Sequence, residues 1–212
     1  MRQRRTLTIW RDDHLEDGLG AIFFDPDEGN APEILERLRT YLGPRLRVLR
    51  AEVSAKSAIV EVEADGFPQE SERLRAEAEK LWSAGGRRAA MVMIRDAAAL
   101  DVLSSAAAAT LGAFLLESDA PEQALAEFKR AREIGDDCAS IRRNLARACI
   151  AMERRSSAIA YLRAADELQP NDFQTLRMLE QLGYRRRPDG DGERSAAETS
   201  SPAPSRVRRR RL

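Results

Sequence analysis

Histidine and cysteine are scarce in this 212-residue chain. There is one histidine, His14, and there are two cysteines, Cys138 and Cys149. Those counts exclude a disulfide framework and any zinc cluster built from cysteine and histidine. Long apolar runs are also missing. No window approaches the roughly 18 consecutive apolar residues of a membrane span, so no transmembrane helix is expected. The first residues, "MRQRRTLTIWRDDHLEDG", are basic but lack the apolar stretch of a signal peptide. The expected compartment is therefore the cytoplasm, where both thiols stay reduced. An excess of one charge is absent too: 35 Lys and Arg balance 35 Asp and Glu. No global charge points to nucleic acid or a membrane surface. No Ser/His/Asp set, glycine-rich phosphate loop or paired-carboxylate motif stands out, so neither an enzyme nor a cofactor is expected.

What the chain does have is ordinary soluble material, 43 % hydrophobic and 33 % charged. Its length leaves room for one or two domains with real cores. The charge is unevenly spread. The last seven residues read "RVRRRRL", and the body before the tail is mildly acidic.

The strongest signal is an internal period of 34 residues. In "APEQALAEFKRAREIG" (120–135) Ala124, Phe128 and Ala131 share one helical face, small, large, small. Shifted forward, they become Ala158, Leu162 and Ala165; shifted back, Ala90, Ile94 and Ala97. Leu111, Gly112 and Leu115 become Leu145, Ala146 and Cys149, while Ala78 and Leu81 precede Gly112 and Leu115 in phase. Three units follow: 71–104, 105–138 and 139–172. Each reads as two helices joined at a short break: "SAGG" (83–86), "ESDAP" (117–121) and "MERRSS" (152–157). Small residues are needed where antiparallel helices cross closely, and large ones fill the space on either side. A lone helical hairpin cannot bury its stripe, so neighbours stack into one core. A further helix is expected in "DFQTLRMLEQLGY" (172–184), with Asp172 as N-cap and Gly183 near its stop, as a cap on the stack.

These residues resemble the tetratricopeptide repeat over about 71–184. The third unit matches best, with Leu145, Ala146, Ala158, Leu162, Ala165 and the closing "LQPND" (168–172). The first departs: Glu77 stands where the family usually has leucine, and Val102 where it usually has proline. The aromatic found early in the family's first helix is replaced by Leu74, Ala108 and Arg142. The resemblance implies a right-handed α-solenoid whose first helices line a concave groove for an extended peptide or partner helix. Carried over, the groove positions are Glu72, Arg75 and Glu79, then Ala106, Ala109 and Ala113, then Ser140, Arg143 and Arg147, then Arg177 and Gln181. The three alanines suit an apolar anchor, and Arg143, Arg147 and Arg177 suit a carboxylate or acidic segment. The lysine and asparagine set of the family's carboxylate clamp is absent.

Residues 1–66 do not follow the period. "TLTIW" (6–10) and "GAIFF" (20–24) read as strands, and "APEILERLRTYLG" (31–43) as an amphipathic helix capped by Asn30. "RLRVLRAEV" (45–53) and "SAIVEVEA" (57–64) read as a hairpin. The expectation is a small α/β domain whose sheet packs on the first repeat hairpin and covers its open end. The fold class is thus mostly α: a small α/β domain (1–66), repeats with a cap (67–184), and a disordered, Arg-rich tail (185–212).

Other motifs carry less. "DPDEGNAPEILE" (25–36) places Asp25, Asp27 and Glu36 at calcium-loop offsets, but Gly29 comes before the third ligand instead of after it. It reads as an acidic loop and a helix cap, and no metal is expected. His14 among Asp12, Asp13, Glu16 and Asp17 reads as solvated. Cys149 falls on a core phase of the repeat. The strand "SAIVEVEA" has no ring for base stacking, and its glutamates repel phosphate. The expected function is a non-enzymatic adaptor or scaffold. The alternative is nucleic-acid or anionic-surface binding through Arg206 and Arg208–Arg211.

Overall fold

The computed structural model describes residues 2–13, 32–135 and 137–184. The expected strand at 20–24, the cap at Asn30, His14 and the 185–212 tail lie outside them, as do Asp25 and Asp27 of the calcium-like stretch. The order is β1 (Arg2–Trp10), a 3-10 turn (Arg11–Asp13), α1 (Pro32–Leu42), β2 (Arg47–Val53) and β3 (Ser57–Asp65). Then come α2 (Pro68–Ser83), α3 (Arg87–Leu100), α4 (Ser105–Glu117), α5 (Pro121–Ile134), α6 (Ala139–Ala151), α7 (Arg155–Leu168) and α8 (Phe173–Gln181).

The helices pack in sequential pairs, α2 with α3, α4 with α5, α6 with α7, and α8 closes against α7. The 34-residue period has a direct structural counterpart. Ala78, Ala90, Ile94, Ala97, Leu111, Leu115, Ala124, Phe128, Ala131, Leu145, Ala146, Cys149, Ala158, Leu162 and Ala165 are all buried. The small phase works by complementarity of size. Gly112 crosses Phe128 so closely that a Cβ there would lie 2.7 Å from the ring. In the other units the same phases hold Ala146 with Leu162 and Ala78 with Ile94, a larger residue facing a shorter one. The turns inside the units are periodic as well. Gly85, Asp119 and Glu153, 34 apart, have φ of +86°, +60° and +59°. In each, the following amide donates to the carbonyl five residues back: Gly86 to Leu81, Ala120 to Leu115, Arg154 to Cys149. This is the left-handed close that satisfies the last carbonyls of a helix. Gly183, φ +67°, ends α8 the same way, with Tyr184 donating to Leu179. It acts one turn earlier than the period would have it.

The departures from the family pattern have physical reasons. No repeat precedes α2, so Glu77 is exposed and pairs with Arg73, and the helix turns a polar face to water. Val102 and Leu103 are buried in the core of the α/β unit instead of closing a repeat.

The sheet is three-stranded and antiparallel in the order β1-β3-β2. Alternation buries Leu7 and Ile9 of β1 and Ala58, Val60 and Val62 of β3 against Ile34 and Leu38 of α1, and a register shift between Val48 and Arg50 brings Val48 and Ala51 of β2 to the same core. On the other face Glu63 is paired with Arg4 at 3.1 Å and Arg47 at 3.7 Å, on either side of it. The expected docking of this sheet on the first repeat hairpin is corrected by the structure. β1 packs chiefly on α5, and the core of the unit takes in Val102, Leu103 and Ile134. The apolar side chains at the α3–α4 link and the end of α5 offer that surface, whereas the outer face of α2 is charged.

Candidate functional site

The candidate site is the face formed by the first helix of each pair, α2, α4 and α6, which touch one another in order. On α2, Arg75, Glu79 and Trp82 follow at i, i+4 and i+7 and so share one face. Ala109, Ala113 and Leu116 do the same on α4, and Arg143, Arg147 and Ile150 on α6.

The charges on α2 largely satisfy each other. The Arg75 guanidinium donates to Glu72 at 2.9 and 2.5 Å and to Glu79 at 2.5 Å. The hydrogen bonds to Arg75 hold the Glu72 carboxyl below its ordinary range and raise the Arg75 guanidinium. Thr110 on α4 donates to the same Glu79 oxygen at 3.1 Å and ties the two helices. α4 starts on Ser104, whose side chain accepts from the Ala107 amide. Its stripe is apolar: Ala106 is exposed, and Ala109 and Ala113 are half-buried.

The basic end is divided. Arg143 is half-buried and donates to Asp172 at 3.1 Å. Asp172 also caps α8 by accepting from the Thr175 amide and hydroxyl, both at 2.8 Å. Those Thr175 bonds, with the charge of Arg143, hold the Asp172 carboxyl below its usual range. Arg143 therefore clamps α6 to α8. Arg147 is exposed and among the described residues reaches only Asn144, at 3.5 Å. Ser140, Arg177 and Gln181 are exposed as well. Arg177 and Gln181 make no hydrogen bond or ion pair among the described residues.

One row was not singled out from the sequence. Trp82 stacks on Phe114 with ring centroids 3.9 Å apart, and its indole N–H donates to Glu117 at 2.9 Å. The signal was available, since Trp82, Leu116 and Ile150 stand 34 apart. Leu116 is half-buried and Ile150 exposed, so the row adds an apolar margin beside the alanine stripe.

Among the described residues the α/β unit lies against the second helices and does not cover this face. Asp13, after β1, is its anchor. It accepts from Arg132 of α5 at 2.9 Å and from Tyr161 of α7 at 2.6 Å, and its carbonyl accepts from Lys129. Arg132 is buried, reaches Asp137 at 3.2 Å, and lies 4.6 Å over the Trp10 ring. Asp137 is held in turn by Arg142, the residue in the place of the family's early aromatic. Burial, then the Asp13 charge, pushes the Tyr161 phenol far above the ordinary tyrosine range. Tyr41 of α1 donates to Glu133 at 2.7 Å, and Arg45 to the Ala99 carbonyl of α3 at 2.5 Å. Among the described residues no group of three His, Cys, Asp or Glu is placed to hold a metal ion. No described helix is long and apolar enough to cross a membrane.

Residues 115–182 match the family model of the tetratricopeptide repeat. No curated protein sequence matches the chain significantly. Among solved structures, the chain is similar to the first such domain of Spaghetti (RPAP3) bound to the HSP90 peptide SRMEEVD. The TM-score is 0.54 at 14 % identity, over 56 % of this chain and 94 % of that one. It is also similar to the second such domain of human RPAP3 in complex with the HSP70 peptide SGPTIEEVD, with TM-score 0.52, 13 % identity, and coverage of 55 % and 98 %. The Arabidopsis OM64 domain gives a TM-score of 0.51 at 18 % identity, covering 54 % and 95 %. At these identities the likeness is one of fold. The helical part of this chain has the fold of a tetratricopeptide repeat array closed by a further helix, and residues 115–182 carry the family's sequence pattern.

Proposed function

We propose that the chain is a non-enzymatic adaptor that holds a peptide or partner helix on the face of α2, α4, α6 and α8. The observation that carries this reading is the composition of that face where it is free. An alanine stripe, Ala106, Ala109 and Ala113, is flanked by Leu116 and Ile150, and then by the exposed guanidiniums of Arg147 and Arg177. Such a surface suits a segment with a large apolar side chain followed by a carboxylate. Arg75, Glu79 and Gln181 would border that segment, and Arg143 would act by holding α8 in place. The peptides named for the RPAP3 domains both end in acidic residues, and a similar chemistry is proposed here without the family's lysine and asparagine set.

The test starts with affinity capture on the full chain and on a chain lacking 188–212, followed by mass spectrometry of what is retained. Titration of the captured partner then compares the native protein with Arg147→Glu/Arg177→Glu, which spares the Arg143–Asp172 clamp. Charge-assisted contacts contribute about 1.5–3 kcal/mol each, so the double reversal is expected to weaken binding at least tenfold. Unchanged affinity with unchanged circular dichroism rules this face out as the partner site. A partner lost with the tail, and released as salt rises, would support the arginine tail as the binding element instead.

A further inference from the structure

The α/β unit and the repeats meet along a seam, and the seam opens into a cleft of about 470 Å³. One wall is α3, where Arg95, Ala98, Ala99 and Val102 follow at helical spacing as the chain leaves the helix. The opposite wall is the α1–β2 link, Leu42 to Leu46, which turns at Gly43 with φ +78°. Leu111 of α4 and Arg130 of α5 complete it. The body of the cleft is apolar: Leu42, Leu46, Ala98, Val102 and Leu111.

Its charge is of one sign. Arg45, Arg95 and Arg130 line it, and no acidic residue does among the described residues. Two of the three guanidiniums are held in place by backbone carbonyls, Arg45 by Ala99 at 2.5 Å and Arg130 by Val102 at 2.9 Å. Each such fork keeps further N–H groups free, because a guanidinium carries five. Arg130 also faces Glu127 at 3.5 Å, where burial pushes the carboxyl up and disfavours its charge. Arg95 is exposed and has no hydrogen-bond or ion-pair partner among the described residues.

We propose that this seam cleft binds a small organic acid, a carboxylate on an apolar body of medium-chain length. The volume falls within the roughly 300–1,000 Å³ of small-molecule sites, which are mostly apolar with a few placed polar groups. The apolar walls take the body, and the guanidiniums take the carboxylate in the forked geometry that pairs the two. A nucleic acid or a bare phosphate would gain nothing from the walls. The cleft belongs half to the α/β unit and half to the repeats, so the bound acid bridges them and stabilises their union by mass action. This site shares no residue with those named on the face of α2, α4, α6 and α8 and stands independently of the adaptor reading.

The test is calorimetric titration of the full chain with octanoate, octanol, octylamine and inorganic phosphate, together with melting curves at increasing octanoate. Saturable octanoate binding is expected, at least tenfold tighter than octanol, with octylamine and phosphate weaker still and a melting midpoint that climbs with octanoate. Arg95→Gln should weaken octanoate at least fivefold and leave octanol unchanged. Ala99→Trp, at an exposed position on the wall, should abolish both. Absence of saturation by octanoate overturns the proposal, as does equal binding of octanoate and octanol, phosphate matching octanoate, or full binding by a folded Ala99→Trp protein.

Discussion

Replacing Gly112 by alanine tests the size rule that builds the stack. An ideal Cβ at Gly112 would sit 2.7 Å and 2.8 Å from Cε1 and Cδ1 of Phe128, and 3.2 Å from Cζ. Carbon atoms in good contact lie about 3.5–4.0 Å apart, so ring or helix must retreat by roughly 0.8 Å. Phe128 is wholly buried on α5 and has nowhere to go. Overpacking of this kind costs about 1–3 kcal/mol. Alanine inside a helix returns about 1 kcal/mol over glycine. The net for Gly112→Ala is therefore a loss of up to about 2 kcal/mol, in place of the gain seen at an open helical glycine. The informative experiment is the double-mutant cycle with Phe128→Leu, which reproduces the Ala146 and Leu162 pair already present one unit later. In the leucine background Gly112→Ala should become stabilising. The coupling between the two positions should be about 1–3 kcal/mol, read from urea unfolding with unchanged m-values. Additivity within about 0.5 kcal/mol, or an alanine that stabilises the protein with Phe128 intact, refutes the reasoning.

Asp13→Ala should destabilise the protein by on the order of 3 kcal/mol, because it strips a partner from the buried Arg132; urea unfolding of the variant checks this. Above about pH 10, where an ordinary tyrosine ionises, the unfolded chain loses the Tyr161 proton while the native state keeps it. Unfolding then releases a proton and stability falls as pH rises; Tyr161→Phe should remove that part of the alkaline loss in melting curves from pH 8 to 11. A thiol reagent should label Cys138 in the native protein, since it is half-exposed, and leave Cys149, which is buried and whose thiol is pushed up by that burial; a second equivalent should react only in denaturant.

The repeat array was legible because its core obeys a period. A residue such as Ala124 or Leu162 meets the same kind of neighbour in every unit, so the same size recurs and the helices, breaks and buried positions follow from it. The hairpin of β2 and β3 was legible for a similar reason, alternation with a period of two. What could not be read was the docking of the α/β unit. It depends on Asp13 meeting Arg132 and Tyr161, residues far apart in the chain with no spacing relation between them. Asp13 stands among other acids in "RDDHLED", and nothing local marks it as the one that becomes buried. Of the candidate site, the sequence offered positions and not contacts. The phase located Arg143 on the groove helix, but not its commitment to Asp172, because a capping carboxylate is recognised by geometry and not by period.

The places where the period fails are where the array meets something other than itself. Glu77 stands where Leu111 and Leu145 are buried in the later units, and it faces water. Val102 stands where the third unit has Pro170, and it enters the core of the α/β unit. Gly183 stands in the phase of Leu115 and Cys149, and with a positive φ it closes α8 instead of filling the core. Groove phases behave differently from core phases. Successive units put Arg75, Ala109, Arg143 and Arg177 at one phase, and Glu79, Ala113, Arg147 and Gln181 at another. None of these positions is fully buried, and close-packed interiors discipline only what they enclose. The candidate face takes a composition of its own, from self-neutralised charge on α2 through alanine on α4 to the exposed Arg147 of α6 and Arg177 of α8. Under the proposed adaptor reading, a partner on this face would meet a gradient along the stack, with its apolar contact in the middle and its acid at the α8 end.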